Sequence, residues 1–211
     1  MNMKRILTFL LAAALALPCL ISCGETSPED EYANWKERNI SFIEGIAAKC
    51  DGFQGVTSEN AQPGQMFRLL SFQLDGTEDG RWTSQDYVYC EVIDKGTGTG
   101  SPLYSDSVKI SYRTRLIPST NYPEGRVIDQ SYKTEDFDPS VNMPSSFALS
   151  GLIDGVVTAL MYMHEGDIWR LYIPYSLAYG NEDKSSVPAY SALVFDINYV
   201  CSSRKGTNLP Y

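Results

Sequence analysis

Ile173-Pro174-Tyr175-Ser176-Leu177-Ala178-Tyr179-Gly180, followed across a polar stretch by Val187-Pro188 and then by Leu193-Val194-Phe195-Asp196-Ile197, is the segment whose reading decides the fold. It reads as a strand ending at Pro174, a tight Ala-Tyr-Gly turn that presents the Tyr179 hydroxyl, a rim loop through Pro188, and an alternating return strand. Strand, turn, rim and return strand together make one wall of an apolar pocket.

Outward from that wall, the pattern of strands continues. Tyr87 to Ile93 is a strand, followed by a Gly- and Thr-rich turn from Gly96 to Gly100. Val108, Ile110, Tyr112, Thr114 and Leu116 alternate with Lys109, Ser111, Arg113 and Arg115, so one face is apolar and the other basic or polar, as in a half-buried antiparallel strand. Asn121 to Gly125 is a turn, and Arg126-Val127-Ile128-Asp129 starts the next strand. A short helix is predicted from Asp154 to Met163, with Val156, Val157, Leu160 and Met161 facing inward. Ile168 to Ile173 and Ala192 to Val200 are the last two strands. About five antiparallel strands and one short helix predict an α+β half-barrel wrapped around the helix.

Taken together, these motifs resemble the FKBP-type peptidyl-prolyl cis/trans isomerases. The resemblance spans Tyr87 to about Val200 and includes Val108 to Tyr112, the Asp129 turn, Phe147-Ala148-Leu149, Leu152-Ile153-Asp154-Gly155, Glu165-Gly166-Asp167 and the opening segment. It implies catalytic roles for Tyr112, Asp129, Ile153 (through its amide) and Tyr179, and substrate contacts from Ile128, Leu152, Val156, Val187 and Phe195. Three positions depart from the family pattern. A Phe becomes Ile128, an aromatic ahead of the Phe147 strand becomes Ser145, and the Trp of the pocket floor becomes Val156, a position fixed by Gly155.

The implied reaction needs no nucleophile, cofactor or metal. An Xaa-Pro bond rotates slowly because amide resonance must be lost, a barrier of about 18 to 20 kcal/mol. The twisted amide is less polar than the planar one, so a dry apolar pocket that grips the proline ring favours it, helped by hydrogen bonds from Tyr179 and the Ile153 amide. Aromatic walls contribute about 0.5 to 1.5 kcal/mol each beyond area burial, so loss of three predicts a specificity lower by roughly 30- to 1000-fold. A catalyst acting on proline-containing unfolded or client polypeptides is therefore one expectation. A non-catalytic module holding a peptide or apolar ligand in the same groove is the alternative, and a structural surface protein that docks a partner is a third. Tyr112, Phe195 and Ile153 are also the residue types that any half-barrel would place in its core. Asp129 differs, because a carboxylate in an apolar strand pattern needs a partner, here Tyr112 or an arginine, unless it faces solvent.

Composition narrows the field. A chain of 211 residues with 43% hydrophobic and 20% charged residues suits one sizeable core plus an extension. A formal net charge of -9 without a basic cluster excludes nucleic acid as a partner. The single histidine, His164, lies at the polar end of a helix, which weakens triad and His-zinc chemistry. Cys50, Cys90 and Cys201 have no CxxC spacing and read as buried small residues.

Residues 1–22 resemble a bacterial lipoprotein signal peptide. Lys4 and Arg5 precede an apolar run from Ile6 to Leu17, then Pro18 and Leu20-Ile21-Ser22-Cys23, with Cys23 as the lipidated residue. Acyl chains, at roughly 0.8 kcal/mol per buried methylene, would hold the mature chain on the outer membrane of a cell envelope, facing the periplasm or the surface. An uncleaved anchor fits less well, since the run is short for a span and broken by Pro18. Residues 23–85 then form an acidic tether, an N-terminal helix and an extension in which Met66 to Phe72 could be a strand. The helix is expected from about Glu29 to Lys49, with Ser27 as N-cap and an apolar stripe of Tyr32, Trp35, Phe42, Ile43, Ile46 and Ala47. That stripe could form a homodimer, but packing on its own domain is preferred. Residues 86–203 make the FKBP-like domain and 204–211 a tail.

Overall fold

The computed structural model describes residues 31–74, 80–134, 138 and 141–209. The signal segment, Cys23 and the Ser27 cap lie outside them. In chain order, the elements are α1 (Trp35–Cys50), β1 (Met66–Leu70), β2 (Tyr87–Asp94), β3 (Ser107–Leu116), β4 (Val127–Gln130), β5 (Ser145–Ala148), α2 (Asp154–Leu160), β6 (Ile168–Ile173) and β7 (Leu193–Ser203). The strands make one antiparallel sheet in the order β1-β2-β6-β7-β3-β4, with β5 also on β3. The α+β expectation holds, with seven strands among the described residues in place of about five.

The two strands beyond those five, β1 on the segment that could be a strand and β5 at Phe147, have separate causes. β1 comes from the N-terminal extension and pairs Phe67 with Cys90 and Leu69 with Val88, supplying partners to an edge of β2 that would otherwise present bare backbone. β5 is short and serine-rich, so no alternation marks it. It shares one edge of β3 with β4, pairing Ser107 to Ile110 while β4 pairs Arg113 to Arg115.

α2 lies in the hollow of the sheet because its residues are apolar almost all round. Val156, Val157 and Leu160 are buried, as are Ile110, Leu171, Ile173 and Ile197 on the strands. The close approach depends on Gly155, where a Cβ would stand 2.4 Å from Ile173 Cγ2. On the opposite face Arg115 of β3 and Arg170 of β6 share a counterion on β7. Asp196 accepts from Arg170 Nε at 2.5 Å and from Arg115 Nη1 at 2.5 Å. Burial alone would raise the Asp196 pKa, but the hydrogen bonds and charges of Arg170 and Arg115 outweigh it and hold the carboxyl below its ordinary value.

α1 runs from Trp35, and the expected start at Glu29 lies outside the described residues, of which Glu31 is helical. Tyr32 to Asn34 form a turn, and Asn34 takes a left-handed conformation (φ 51°), which asparagine tolerates better than most residues. The buried side of α1 is Trp35, Asn39, Ile43, Ile46 and Cys50. It rests on the chain's own sheet, with Phe42 against Tyr172 at 6.1 Å between ring centroids. Asn39 is fully buried although periodicity of apolar residues could not include it. Cys50, Cys90 and Cys201 are free thiols, and burial raises the pKa of each. His164 ends the α2 region in a turn where its backbone N–H donates to Asp167 Oδ2 at 2.7 Å while Gly96 N donates to Oδ1 at 2.8 Å.

Candidate active site

Four strands, the turn that carries Tyr179 and the N-terminal end of α2 enclose an apolar cavity of about 260 Å³. β3 contributes Ile110 and Tyr112, whose side chains share its inward face through the two-residue repeat of a strand. Val156 of α2 lines the cavity, and Gly151, Leu152 and Ile153 lead into that helix. Asp129, Phe147, Tyr179 and Phe195 complete the lining.

Tyr112 is the hub. Its ring stacks on Phe195 (centroids 5.7 Å apart, planes at 27°) and meets Phe147 edge-on (5.8 Å, 64°). Its hydroxyl donates to Asp129 Oδ2 at 2.9 Å, and Asp129 Oδ1 accepts from Gln130 N at 2.8 Å. Of the partners expected for Asp129, the structure selects the tyrosine. Burial, then the hydrogen bond and charge of Asp129, push the Tyr112 phenol well above its ordinary pKa, so it stays protonated and donates at neutral pH. The backbone at Tyr112 is fixed as well, with Tyr112 N donating to Ser131 Oγ at 2.9 Å and Ser131 N donating to Tyr112 O at 2.9 Å.

Tyr179 stands at the mouth. The turn that carries it forms because Pro174 ends β6 and Tyr175–Leu177 winds into one 3₁₀ turn, after which Ala178 N and Gly180 N both donate to Tyr175 O, at 3.1 and 2.8 Å. Gly180 closes the turn at φ 67°, which glycine adopts without strain. Tyr179 remains 39% exposed. Ile153 occupies the N-cap of α2 with extended backbone, its carbonyl accepting from Val156 N and Val157 N at 3.0 Å.

Seven of the residues singled out from sequence thus line one cavity: Tyr112, Asp129, Leu152, Ile153, Val156, Tyr179 and Phe195. Ile128 and Val187 do not. Neighbouring strand residues point apart, so with Asp129 turned into the cavity Ile128 packs against the core beside it. Val187 is buried in the core, where it and Lys184 exchange backbone hydrogen bonds across the rim loop at 2.9 and 3.1 Å. Ser145 sits opposite Ile110 on β3, outside the lining.

Sequence reasoning passed over Ile110 and, with more consequence, Phe147. Phe147 appeared only as part of a motif, yet it gives the cavity an aromatic wall on the side where Ser145 suggested none. The available signal was its apolar ring among serines, two residues before buried Leu149. Phe147 and Tyr112 with Phe195 leave Val156 as the floor position without a ring. The lining's single carboxylate has both oxygens engaged by protein donors, which suits holding Tyr112 in place rather than attacking a substrate. An apolar cavity with the Tyr179 hydroxyl at its mouth can seat a small ring and bond a carbonyl beside it.

Residues 98–200 match the family model described as FKBP-type peptidyl-prolyl cis-trans isomerase. The chain is 34% identical over 147 residues to the peptidyl-prolyl cis-trans isomerase Mip of Coxiella burnetii, covering 69% of this chain and 56% of that protein. It is 32% identical over 165 residues to the FKBP-type peptidyl-prolyl cis-trans isomerase FkpA of Buchnera aphidicola, covering 78% and 56% respectively. Among solved structures, a peptidyl-prolyl cis-trans isomerase from Pseudomonas syringae superposes with a TM-score of 0.52 at 25% identity, covering 82% of this chain and 96% of that one. The chain spans about half the length of the curated relatives it matches.

Proposed function

Since residues 98–200 are an FKBP-type peptidyl-prolyl cis-trans isomerase domain, we propose that this chain catalyses cis/trans rotation about Xaa-Pro bonds of unfolded or client polypeptides outside the cytoplasm, from a lipid anchor at Cys23. The observation that carries the catalytic reading is the ring-walled cavity around Tyr112, with Tyr179 and the start of α2 at its edge.

In this reading the proline ring enters between Tyr112, Phe147 and Phe195 above Val156. The Ile153 amide and the Tyr179 hydroxyl take the carbonyl groups beside the rotating bond, and Asp129 keeps Tyr112 oriented. Taking the amide out of water favours the twisted, less polar state, which lowers the barrier without a covalent step. With Phe147 present and Ile128 and Ser145 outside the lining, Val156 is the one departure from the family pattern that faces the cavity, and one aromatic contact is worth about 0.5 to 1.5 kcal/mol, or roughly two- to ten-fold in kcat/KM. A moderately active enzyme is expected.

A protease-coupled assay on Xaa-Pro peptides tests this. Acceleration above the spontaneous rate, abolished by substitutions in the cavity, is the expected result. Peptide binding without acceleration would replace catalysis with the non-catalytic reading. The lipid anchor rests on the Lys4 to Cys23 segment, and the test is metabolic labelling with an acyl probe, retained by the full chain and lost in Cys23→Ala. With the α1 stripe used on its own sheet, sedimentation is expected to give a monomer.

A further inference from the structure

Three consecutive residues of the rim loop, Tyr190, Ser191 and Ala192, are each gripped by the first turns of α1. The Trp35 indole N–H donates to Ser191 Oγ at 2.8 Å, and Ser191 Oγ donates onward to Pro188 O at 2.6 Å. Asn39 Oδ1 accepts from Ala192 N at 2.8 Å, while Asn39 Nδ2 donates to Trp35 O at 2.6 Å, so both side-chain ends of a fully buried amide are used. Lys36 Nζ lies 4.5 Å from the centroid of the Tyr190 ring, within range of a cation–π contact.

The gripped residues are in turn tied to the turn bearing Tyr179. Tyr190 N donates to Gly180 O at 2.9 Å, and the Tyr190 ring meets Tyr175 edge-on at 5.4 Å. Tyr190 has φ 62°, a left-handed conformation that a bulky side chain disfavours and that persists only where surrounding contacts fix it. Those contacts come from α1 on one side and from the Tyr175–Gly180 turn on the other.

We propose that Trp35 and Asn39, with Lys36, are positioning residues for isomerisation. By holding Tyr190 in its strained conformation they fix the rim loop, and through Gly180 and Tyr175 they set the Tyr179 hydroxyl at the cavity mouth. α1 is then part of the catalytic apparatus rather than a spacer between membrane and domain. The inference rests on the isomerase reading for its catalytic half. Its structural half, that α1 orders the loop, stands independently.

The test compares Trp35→Phe, which keeps an aromatic ring but loses the indole N–H, with Ile46→Val, which loosens α1 without touching the loop. Both are made in the full chain in detergent and assayed at a temperature where circular dichroism shows them fully folded. For Trp35→Phe, kcat/KM is expected to fall about three- to ten-fold and hydrogen-exchange protection of the Tyr190 amide to drop. Ile46→Val is expected to keep both. Unchanged Tyr190 protection in Trp35→Phe, or equal loss of activity in Ile46→Val, would overturn the proposal. An inactive wild-type chain would instead remove the isomerase reading and the catalytic half with it, leaving the exchange data to decide whether α1 orders the loop.

Discussion

The Tyr112 hydroxyl donates to Asp129 Oδ2 at 2.9 Å, joining the central ring of the cavity to the carboxylate that lines it. Replacing Asp129 with Leu leaves that hydroxyl without its acceptor in an apolar setting. Stability is expected to fall by about 1 to 3 kcal/mol and kcat/KM by about ten-fold, while Asp129→Asn, which retains an oxygen acceptor, loses less of each. Urea unfolding and the coupled isomerase assay measure the two effects. Equal values for Leu and Asn would mean that the hydrogen bond does not matter.

Three tyrosines set an alkaline limit to stability. Burial, followed by the influence of neighbouring acids, raises Tyr112, while Tyr89 and Tyr172 are pushed up to about 12 by burial first and, for Tyr172, by Glu91 next. A tyrosine whose pKa is higher folded than unfolded favours the fold fully below the unfolded value of 10.0. That contribution is lost as pH rises from there through about 12. Phenolate absorbance recorded alongside far-ultraviolet circular dichroism should show a late group of tyrosines ionising together with unfolding. Smooth ionisation of every tyrosine near pH 10 with the fold intact would contradict it.

Asp196 sets the acid limit, with the opposite sign. Its folded pKa is depressed, so its contribution is present above the ordinary carboxylate range and is lost as pH falls through the folded value below that range. Asp196→Asn leaves Arg115 and Arg170 facing each other, partly exposed, and is expected to cost about 1 to 3 kcal/mol at neutral pH. The wild-type advantage should shrink toward zero in strong acid. A stability difference that stays constant with pH would show that charge is not its source.

Gly155→Ala forces a methyl to within 2.4 Å of Ile173 Cγ2. The helix must shift, carrying Ile153 and Val156 with it, at an expected cost of about 1 to 3 kcal/mol and a loss of activity out of proportion to the loss of folded protein. Combining it with Ile173→Ala should give a total cost smaller than the sum of the two single substitutions. Strict additivity would mean that the two positions do not clash.

Phe147→Leu and Val156→Trp probe the walls in opposite directions. Removing the half-buried Phe147 ring is expected to lower kcat/KM about two- to ten-fold, and adding a ring at the floor to raise it by a similar factor. If Val156→Trp lowers kcat/KM in a protein whose thermal midpoint is unchanged, the floor is not what limits the site.

The strands were legible because their signals are local. β6 falls on the expected residues, and β2, β3, β4 and β7 within three residues at each end, since a two-residue repeat and turn-forming Gly, Pro and Asn act over a few positions. β5 was legible only through the resemblance, as the Phe147 strand, because Ser145-Ser146-Phe147-Ala148 has no alternation of its own and pairs with Val108 and its neighbours. The turn at Tyr32 to Asn34 that interrupts the expected helix was hidden for a related reason. Apolar spacing continues back to Tyr32, but the backbone turns at Asn34, and Trp35 just beyond the turn donates to Ser191, 156 residues away.

Residue order alone carried the fold class and the turn that presents Tyr179, through local patterns of alternation and turn residues, and most of the cavity's residues through the resemblance of its motifs to those of the family. Convergence needed the folded chain. That Phe147 rather than Ser145 walls the cavity, that Ile128 turns away as Asp129 turns in, and that Asn39 holds an amide 153 residues further along depend on strand register and helix docking. Those are set by packing between distant segments, which leaves no mark in any short stretch of sequence.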